Sequence, residues 1–404
     1  MAQMSFRTAY IGLASLAAAF CMLFLASTHA QASWTSGGPH NSFVLDLAID
    51  PTFSGTVFAA IKGEHVAKTI NGGASWDYLY ESYTDRGAVA IDPQNPSTVY
   101  AGKGWAQVTN LCFSLNKSMD GGASWASTGF LFCKEGIFEC AISDIWVKPS
   151  DSNVILATVA GFGDAFYPGG VYKSTDGGDT WARTYPFWVN TLAVDPIDYN
   201  KMYFGTSKNG YVFQSVDGGS TWASMDPGWG SVSEVRDIEV DRNSQLYAAT
   251  NEGLWKWGGF SWTKLSGLPT EQITALAIER SKIPGIIYVG TIPEGVFVSL
   301  DGGSTFVPFN EGLENLSIIK LALSSGQPKI VYAGTALGGV WSWAYYEPGD
   351  INGDGCVDLA DAILALQVLV GIRSESFHNA DVNGDANIGI QDVLYILQKA
   401  AGER

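Results

Sequence analysis

Residues Lys173 to Trp181 read KSTDGGDTW, a Ser, two Thr and two Asp gathered around a Gly pair. Taken alone, the stretch has the makings of a small catalytic loop. It is not alone, however. KTINGGASW starts at Lys68, KSMDGGASW at Lys117, QSVDGGSTW at Gln214 and VSLDGGSTF at Val298, with a worn copy, WKWGGFSW, at Trp255. Upstream of the copies runs an apolar segment ending in Asp-Pro or a variant: LAIDP at Leu47, VAIDP at Val89, LAVDP at Leu192, IEVD at Ile238 and LAIE at Leu276. Between the two comes a third signature, as in TVYAG at Thr98, LYAAT at Leu246 and VYAGT at Val331.

The unit recurs about every 40 to 55 residues and supplies four short strands, the pattern of propeller blades. Innermost strands start near Leu45, Ala88, Ser143, Thr191, Asp237, Ala275 and Leu321, which predicts seven blades over residues 33–348. The seventh unit ends GGVWSWAYYEP and lacks a fourth strand. Ser33-Trp34 matches the Ser-Trp that leaves a normal turn, so the segment from Ser33 is expected to supply that strand and remove the open sheet edge. The fold class expected is an all-β seven-bladed propeller with a small α-helical domain after it.

The repeated Asp reads as structural. An Asp at a strand corner accepts backbone N–H groups ahead of it, while the following Gly residues take positive φ. Asn71 replaces it in the first copy, which suits a capping role and not an acid or nucleophile. These repeats resemble the Asp-box, or BNR-like, propellers, a family that includes sialidases, xyloglucanases and the sortilin ectodomain. The boxes are shared by enzymes and receptors alike, so the resemblance implies fold and not activity.

Composition narrows the function. A net charge of -17 argues against nucleic acid as partner. Arg7, an apolar run from about Tyr10 to Ala26 and the small-residue site Ala30-Gln31-Ala32 make a secretory signal over 1–32, a retained anchor being the alternative. After cleavage no segment would span a membrane, and the protein is expected to be secreted or held at the cell surface. In that environment Cys112, Cys133, Cys140 and Cys356 can form disulfides. Cys112 and Cys133 lie almost symmetrically about Gly121-Gly122, so they are the first choice of pair, with Cys133 to Cys140 second. No CxxC occurs, and zinc has little support.

If the Gly-pair turns share one face, the variable loops lie on the other. That face holds Trp105, Phe162, Phe166, Tyr167, Trp188 and Trp229 as candidate ligand contacts for a polysaccharide or a protein. Aligned inner strands bring Asp46, Asp144, Asp237 and Lys320 to the axis, either as a ligand or cation site or as solvated charges. A sialidase needs an arginine cluster, and the propeller holds only Arg86, Arg183, Arg236, Arg242 and Arg280, with SKIPG at Ser281 the nearest match to the family's RIP motif. A xyloglucanase-like glycoside hydrolase, degrading polysaccharide, needs two carboxylates across a cleft, for which Asp85 and Asp164 are the candidates. Those enzymes resemble two propellers clasping a cleft, whereas this chain carries one.

Residues 349–404 change character. GDINGDGCVDLADAILALQVLVG and, 31 residues on, ADVNGDANIGIQDVLYILQKA place oxygen ligands at calcium-loop positions. The first loop offers Asp350, Asn352, Asp354, the carbonyl of Cys356, Asp358 and Asp361. The second offers Asp381, Asn383, Asp385, the carbonyl of Asn387, and Asp392; with Ala386 at the bend and Gly389 at position nine, it is expected to be the weaker of two calcium sites. Each loop leads into an apolar-striped helix, and the pair resembles a dockerin, which implies a cohesin-like module as partner. Where many dockerins carry Ser-Thr and Lys-Arg for recognition, this chain has Leu359-Ala360 and Ile390-Gln391, then Leu366-Gln367 and Leu397-Gln398. An apolar docking face is therefore expected.

Overall fold

The computed structural model describes residues 33–63, 65–81, 87–106, 110–135, 140–161, 169–225, 228–229, 232–281, 284–326, 329–345, 349–351, 357–372, 380–382 and 387–401. They form two compact units, one of Trp34–Ser325 with Ile330–Trp343, the other carrying two helices.

The first unit is a seven-bladed propeller of four-stranded antiparallel sheets. Inner strands run Val44–Ile49, Val89–Ile91, Cys140–Val147, Val189–Val194, Val235–Val240, Ile273–Glu279 and Ile318–Leu323. The second strands, such as Val57–Ile61, Met202–Thr206 and Leu246–Thr250, are buried along their whole length. They lie between neighbouring blades, so their sequences are continuous apolar runs without alternation. The small residue in the VYAGT-type signature marks a close approach between the inner parts of neighbouring blades. A Cβ on Gly205 would sit 2.4 Å from Val235 Cγ1, and one on Gly334 2.5 Å from Val44 Cγ1.

Thr35–Gly38 pairs antiparallel with Gly339–Tyr345, Thr35 opposite Ser342 and Ser36 opposite Trp341, and so supplies the outer strand of blade 7. Trp34 anchors it. The indole is 3% exposed, donates from Nε1 to the Phe309 carbonyl at 2.7 Å and meets the Phe309 ring edge-on at 5.7 Å. The aromatic residues after the Gly-pair turns also pack between sheets: Trp125, Trp181 and Trp222 lie against separate interblade cores.

In the second unit, helices Leu359–Leu369 and Ile390–Ala400 enclose a small core of Ile351, Ala362, Ala365, Ala380, Val393 and Ile396. Among the described residues no helix is long and apolar enough to cross a membrane.

Candidate functional site

The repeated turn is fully occupied by its own hydrogen bonds. Asp176 Oδ1 accepts from the Thr180 N–H at 2.9 Å and the Ser174 hydroxyl at 2.8 Å, while Oδ2 accepts from the Thr180 hydroxyl at 2.5 Å. Led by the Thr180 hydroxyl, these bonds hold the carboxyl down at about 2. Asp120, Asp217 and Asp301 repeat the pattern, and Asn71 reproduces it by accepting from the Ser75 N–H at 3.0 Å. Gly177 and Gly178 supply the positive φ values of 75° and 101°. An acid locked in its ionised form by a corner is no proton donor. The leading Lys of the motif has a role that its position in the sequence did not reveal: Lys68 Nζ donates to the Gly121 carbonyl at 2.9 Å and Lys117 Nζ to Gly177 at 3.2 Å, each tying one blade to the next blade's turn.

At the axis the structure brings Asp46, Asp144, Asp237 and Lys320 to equivalent places, one residue past a register shift in each inner strand. Each Asp accepts a main-chain N–H from the following blade: Asp46 from Val89 at 3.0 Å, Asp144 from Leu192 at 3.0 Å and Asp237 from Leu276 at 2.9 Å. Blade 7 joins by charge, Lys320 Nζ lying 3.5 Å from Asp46 Oδ1. Burial pushes the Asp144 carboxyl up to about 7, with Lys320 opposing and Asp46 and Asp237 adding to the rise. Burial likewise raises Asp46 in spite of Lys320. For Lys320 itself burial acts downward, but the fields of Asp237, Asp46, Asp144 and Glu239 outweigh it and hold the ammonium charged. The cluster joins blades, and its chemistry is that of a buried ion network satisfied from within.

On the loop-rich face, Trp188 and Trp229 are core residues and not open platforms. Trp188 is 8% exposed inside an interblade core, and Trp229 is 6% exposed, donates from Nε1 to the Gly210 carbonyl at 2.9 Å and packs on Trp262 at 4.6 Å. Trp105 lies on the second strand of blade 2. Phe162, Phe166, Tyr167, Asp85 and Asp164 lie outside the described residues. Among the described residues of this face the exposed aromatics are instead Phe187, at 50%, and Tyr211, at 44%. They flank one ring cluster at the seam of blades 3 and 4, Phe187 to Tyr185 at 5.6 Å, Tyr185 to Phe213 at 4.8 Å and Phe213 to Tyr211 at 6.5 Å. Neither had been singled out from the sequence.

In the helical unit, the twelfth residue of each loop is a fully buried carboxylate that braces its own loop. Asp361 Oδ1 accepts from Ile351 N–H at 2.7 Å and Oδ2 from Asp358 N–H at 2.9 Å; Asp392 does the same with Val382 at 2.9 Å and Gly389 at 2.8 Å. Asp350 is 2% exposed, and Asp358 caps the first helix through Ala360 N–H at 2.7 Å. Asp381 and Asn387 are described as well, while Asn352, Asp354, Cys356, Asn383 and Asp385 lie outside the described residues. Among the described residues no group of three or more His, Cys, Asp or Glu forms a metal cluster. The all-oxygen donor set, with a buried carboxylate at position twelve of both loops and at position one of the first, fits calcium, a hard cation whose charge offsets their burial.

The propeller is similar to solved structures at the level of fold. An ancestral GH74 enzyme aligns with a TM-score of 0.60 at 20% identity, over 80% of this chain and 47% of that one. YCF48 bound to D1 peptide aligns at 0.55 and 16% identity, over 78% of this chain and 97% of that one. In sequence, 189 residues are 31% identical to a xyloglucanase from Hypocrea jecorina (strain QM6a), 43% of this chain but 22% of that protein. The chain thus spans about a fifth of the length of that curated relative. Residues 348–399 match the family model of the Dockerin type I domain, a calcium-binding module.

Proposed function

We propose that this chain is an exported Asp-box propeller that binds polysaccharide on its loop-rich face and is tethered to a cohesin-like module through its calcium-folded dockerin. The observation that carries the ligand half is the pair Phe187 and Tyr211, half-exposed rings backed by a packed aromatic cluster on the face opposite the Gly-pair turns. Such rings offer an apolar platform at low entropic cost, because the cluster beneath already fixes them. The partial likeness to a xyloglucanase favours a β-linked glucan over a protein as ligand. In this reading residues 1–32 are the export signal, 33–348 the propeller and 349–404 the dockerin. Calcium, when bound, neutralises the loop carboxylates. Asp361 and Asp392 then orient their loops against the helices, and the second loop, lacking the bend glycine, holds its ion less tightly.

A second reading, glycoside hydrolysis with Asp85 and Asp164 as acid and base, is favoured by the same xyloglucanase likeness. Titrating the purified chain with soluble glucans while assaying reducing ends separates the two. Saturable binding that is lost in Phe187→Ala and Tyr211→Ala, without release of reducing ends, supports binding. Reducing ends released by the wild type and abolished in Asp85→Ala or Asp164→Ala would replace it with hydrolysis.

A further inference from the structure

Blade 2 departs from its neighbours in length. Its second, third and outer strands run eight, nine and ten residues, Val99–Ala106, Asn110–Ser118 and Ala126–Glu135, against five each in blade 1. The inner strand has three, Val89–Ile91, and its pairing with the second ends at Val89 opposite Ala101. The second strand continues past that point to Ala106, still paired with the third, whose far end pairs with the outer strand. The excess falls at the ends remote from Gly121-Gly122, so it forms a three-stranded flap on the loop-rich face. A flap this narrow has little core of its own to hold its strands together. One transverse row of it reads Trp105 opposite Cys112, and Cys112 opposite Cys133.

We propose that Cys112 and Cys133 form a cross-strand disulfide that locks this flap. Directly opposite residues of an antiparallel pair have Cα atoms about 4.5 to 5.5 Å apart, within the roughly 4.4 to 6.8 Å that a disulfide spans. Cys140 stands opposite Gly161 in the next sheet, so the register offers Cys133 one cysteine, and it is Cys112. The oxidant is a small-molecule disulfide such as oxidised glutathione. Thiolate attack and a second exchange form one protein S–S bond, and the oxidant leaves as two thiols carrying the two protons and two electrons. The bond ties the third strand to the outer one in the row that holds Trp105, so fraying of the flap requires its reduction.

The test is peptide mapping of the full chain, equilibrated with a glutathione redox couple and alkylated without reduction. A linked peptide pair containing Cys112 and Cys133, with alkyl groups on Cys140 and Cys356, is expected. An alkyl group on Cys112 or Cys133, or a Cys133 to Cys140 link, overturns the pairing. Amide exchange of residues 103–114 and 131–135 should quicken by at least about tenfold when the wild type is reduced; unchanged exchange overturns the lock. The Cys112→Ser, Cys133→Ser double variant should match the reduced wild type, and if it fails to fold, reduction of the wild type gives the same readout. None of these outcomes depends on the glucan-binding reading.

Discussion

Lys320 on the inner strand of blade 7 sets its Nζ 3.5 Å from Asp46 Oδ1 on the inner strand of blade 1, across the seam where the ring closes. Three of the other seams beside the axis are bridged by an Asp and a main-chain N–H, and this ion pair bridges a fourth with two side chains, Lys320 standing where those three blades carry the Asp. Replacing Lys320 by Met would leave Asp46, Asp144 and Asp237 facing one another without their shared cation. Breaking a buried pair typically costs 3–5 kcal/mol, and the lysine is 28% exposed, so a loss of about 2 kcal/mol in denaturant unfolding is expected. An unchanged midpoint would reduce the pair to ornament.

Asp144 makes the network sensitive to pH. Its folded carboxyl titrates near 7, raised from an unfolded value of about 3.9, so between those limits the folded protein binds more protons than the unfolded chain. The contribution is fully present below pH 4 and is lost as pH rises through 7. Asp144→Asn keeps the acceptor for Leu192 N–H and removes the titration. Unfolding free energies at pH 4, 5.5 and 8 should therefore coincide for the two proteins at pH 4 and diverge in favour of the variant by pH 8. The turn carboxylates act in the opposite sense: Asp120 and Asp176, lowered to about 2 by their bonds to Ser124 and Thr180, stabilise above pH 4 and fail only as pH falls through 2.

The repeat, the blade number and the borrowed outer strand were all legible, because a Gly pair at a strand corner and a buried apolar strand leave periodic marks in a sequence. The convergence of Asp46, Asp144 and Asp237 was legible for the same reason. What they do there was not, since their donors are main-chain N–H groups of another blade, which no side-chain pattern records. The loop-rich face was harder still. Phe187 is half-exposed and its neighbour Trp188 is buried, but both sit in the short irregular link between Ala182–Tyr185 and Val189–Val194, where period-two alternation does not operate. Trp229 sinks into a core for a similar reason, drawn by Gly210 and Trp262 from a link with no repeat to predict it.

Ring closure through Trp34 predicts a strong effect from one residue at the edge of the fold. Trp34→Ala removes a 3%-exposed indole, its bond to the Phe309 carbonyl and its contact with the Phe309 ring. Such truncations cost about 3–5 kcal/mol. Thermal unfolding should show the loss, and proteolysis should remove Thr35–Gly38 before the rest of blade 7. A propeller that keeps its stability would show that this strand only decorates the edge.

Calcium loading should follow the two loops unequally. Burial of Asp361 and Asp392 makes each a point where ion binding and folding are coupled, and ligand at about 100 times its Kd stabilises by about 2.7 kcal/mol. Asp361→Ala should abolish the tighter of two calorimetric binding events and Asp392→Ala the weaker. Chelator should speed protease cleavage within 349–404. A single event untouched by Asp392→Ala would remove the second site.

The first helix of that unit predicts how the tether works. Leu359, Ile363, Leu366 and Val370 fall within one narrow stripe at 100° per residue and are 62%, 47%, 39% and 63% exposed, while Ala362 and Ala365 are buried against the second helix. The second helix exposes only Ile390 and Leu394 in this way among its described large apolar residues. An apolar stripe displayed along one helix suits a partner that buries it, and a central residue of such a face acts as a hot spot. Ile363→Asp should therefore weaken capture by a cohesin-like module by about 30-fold or more, the equivalent of about 2 kcal/mol, with calcium affinity and thermal stability unchanged. Because the interaction is apolar, it should persist in molar salt, where a charge-based contact would fade. Undiminished capture by Ile363→Asp would move the docking face off this helix.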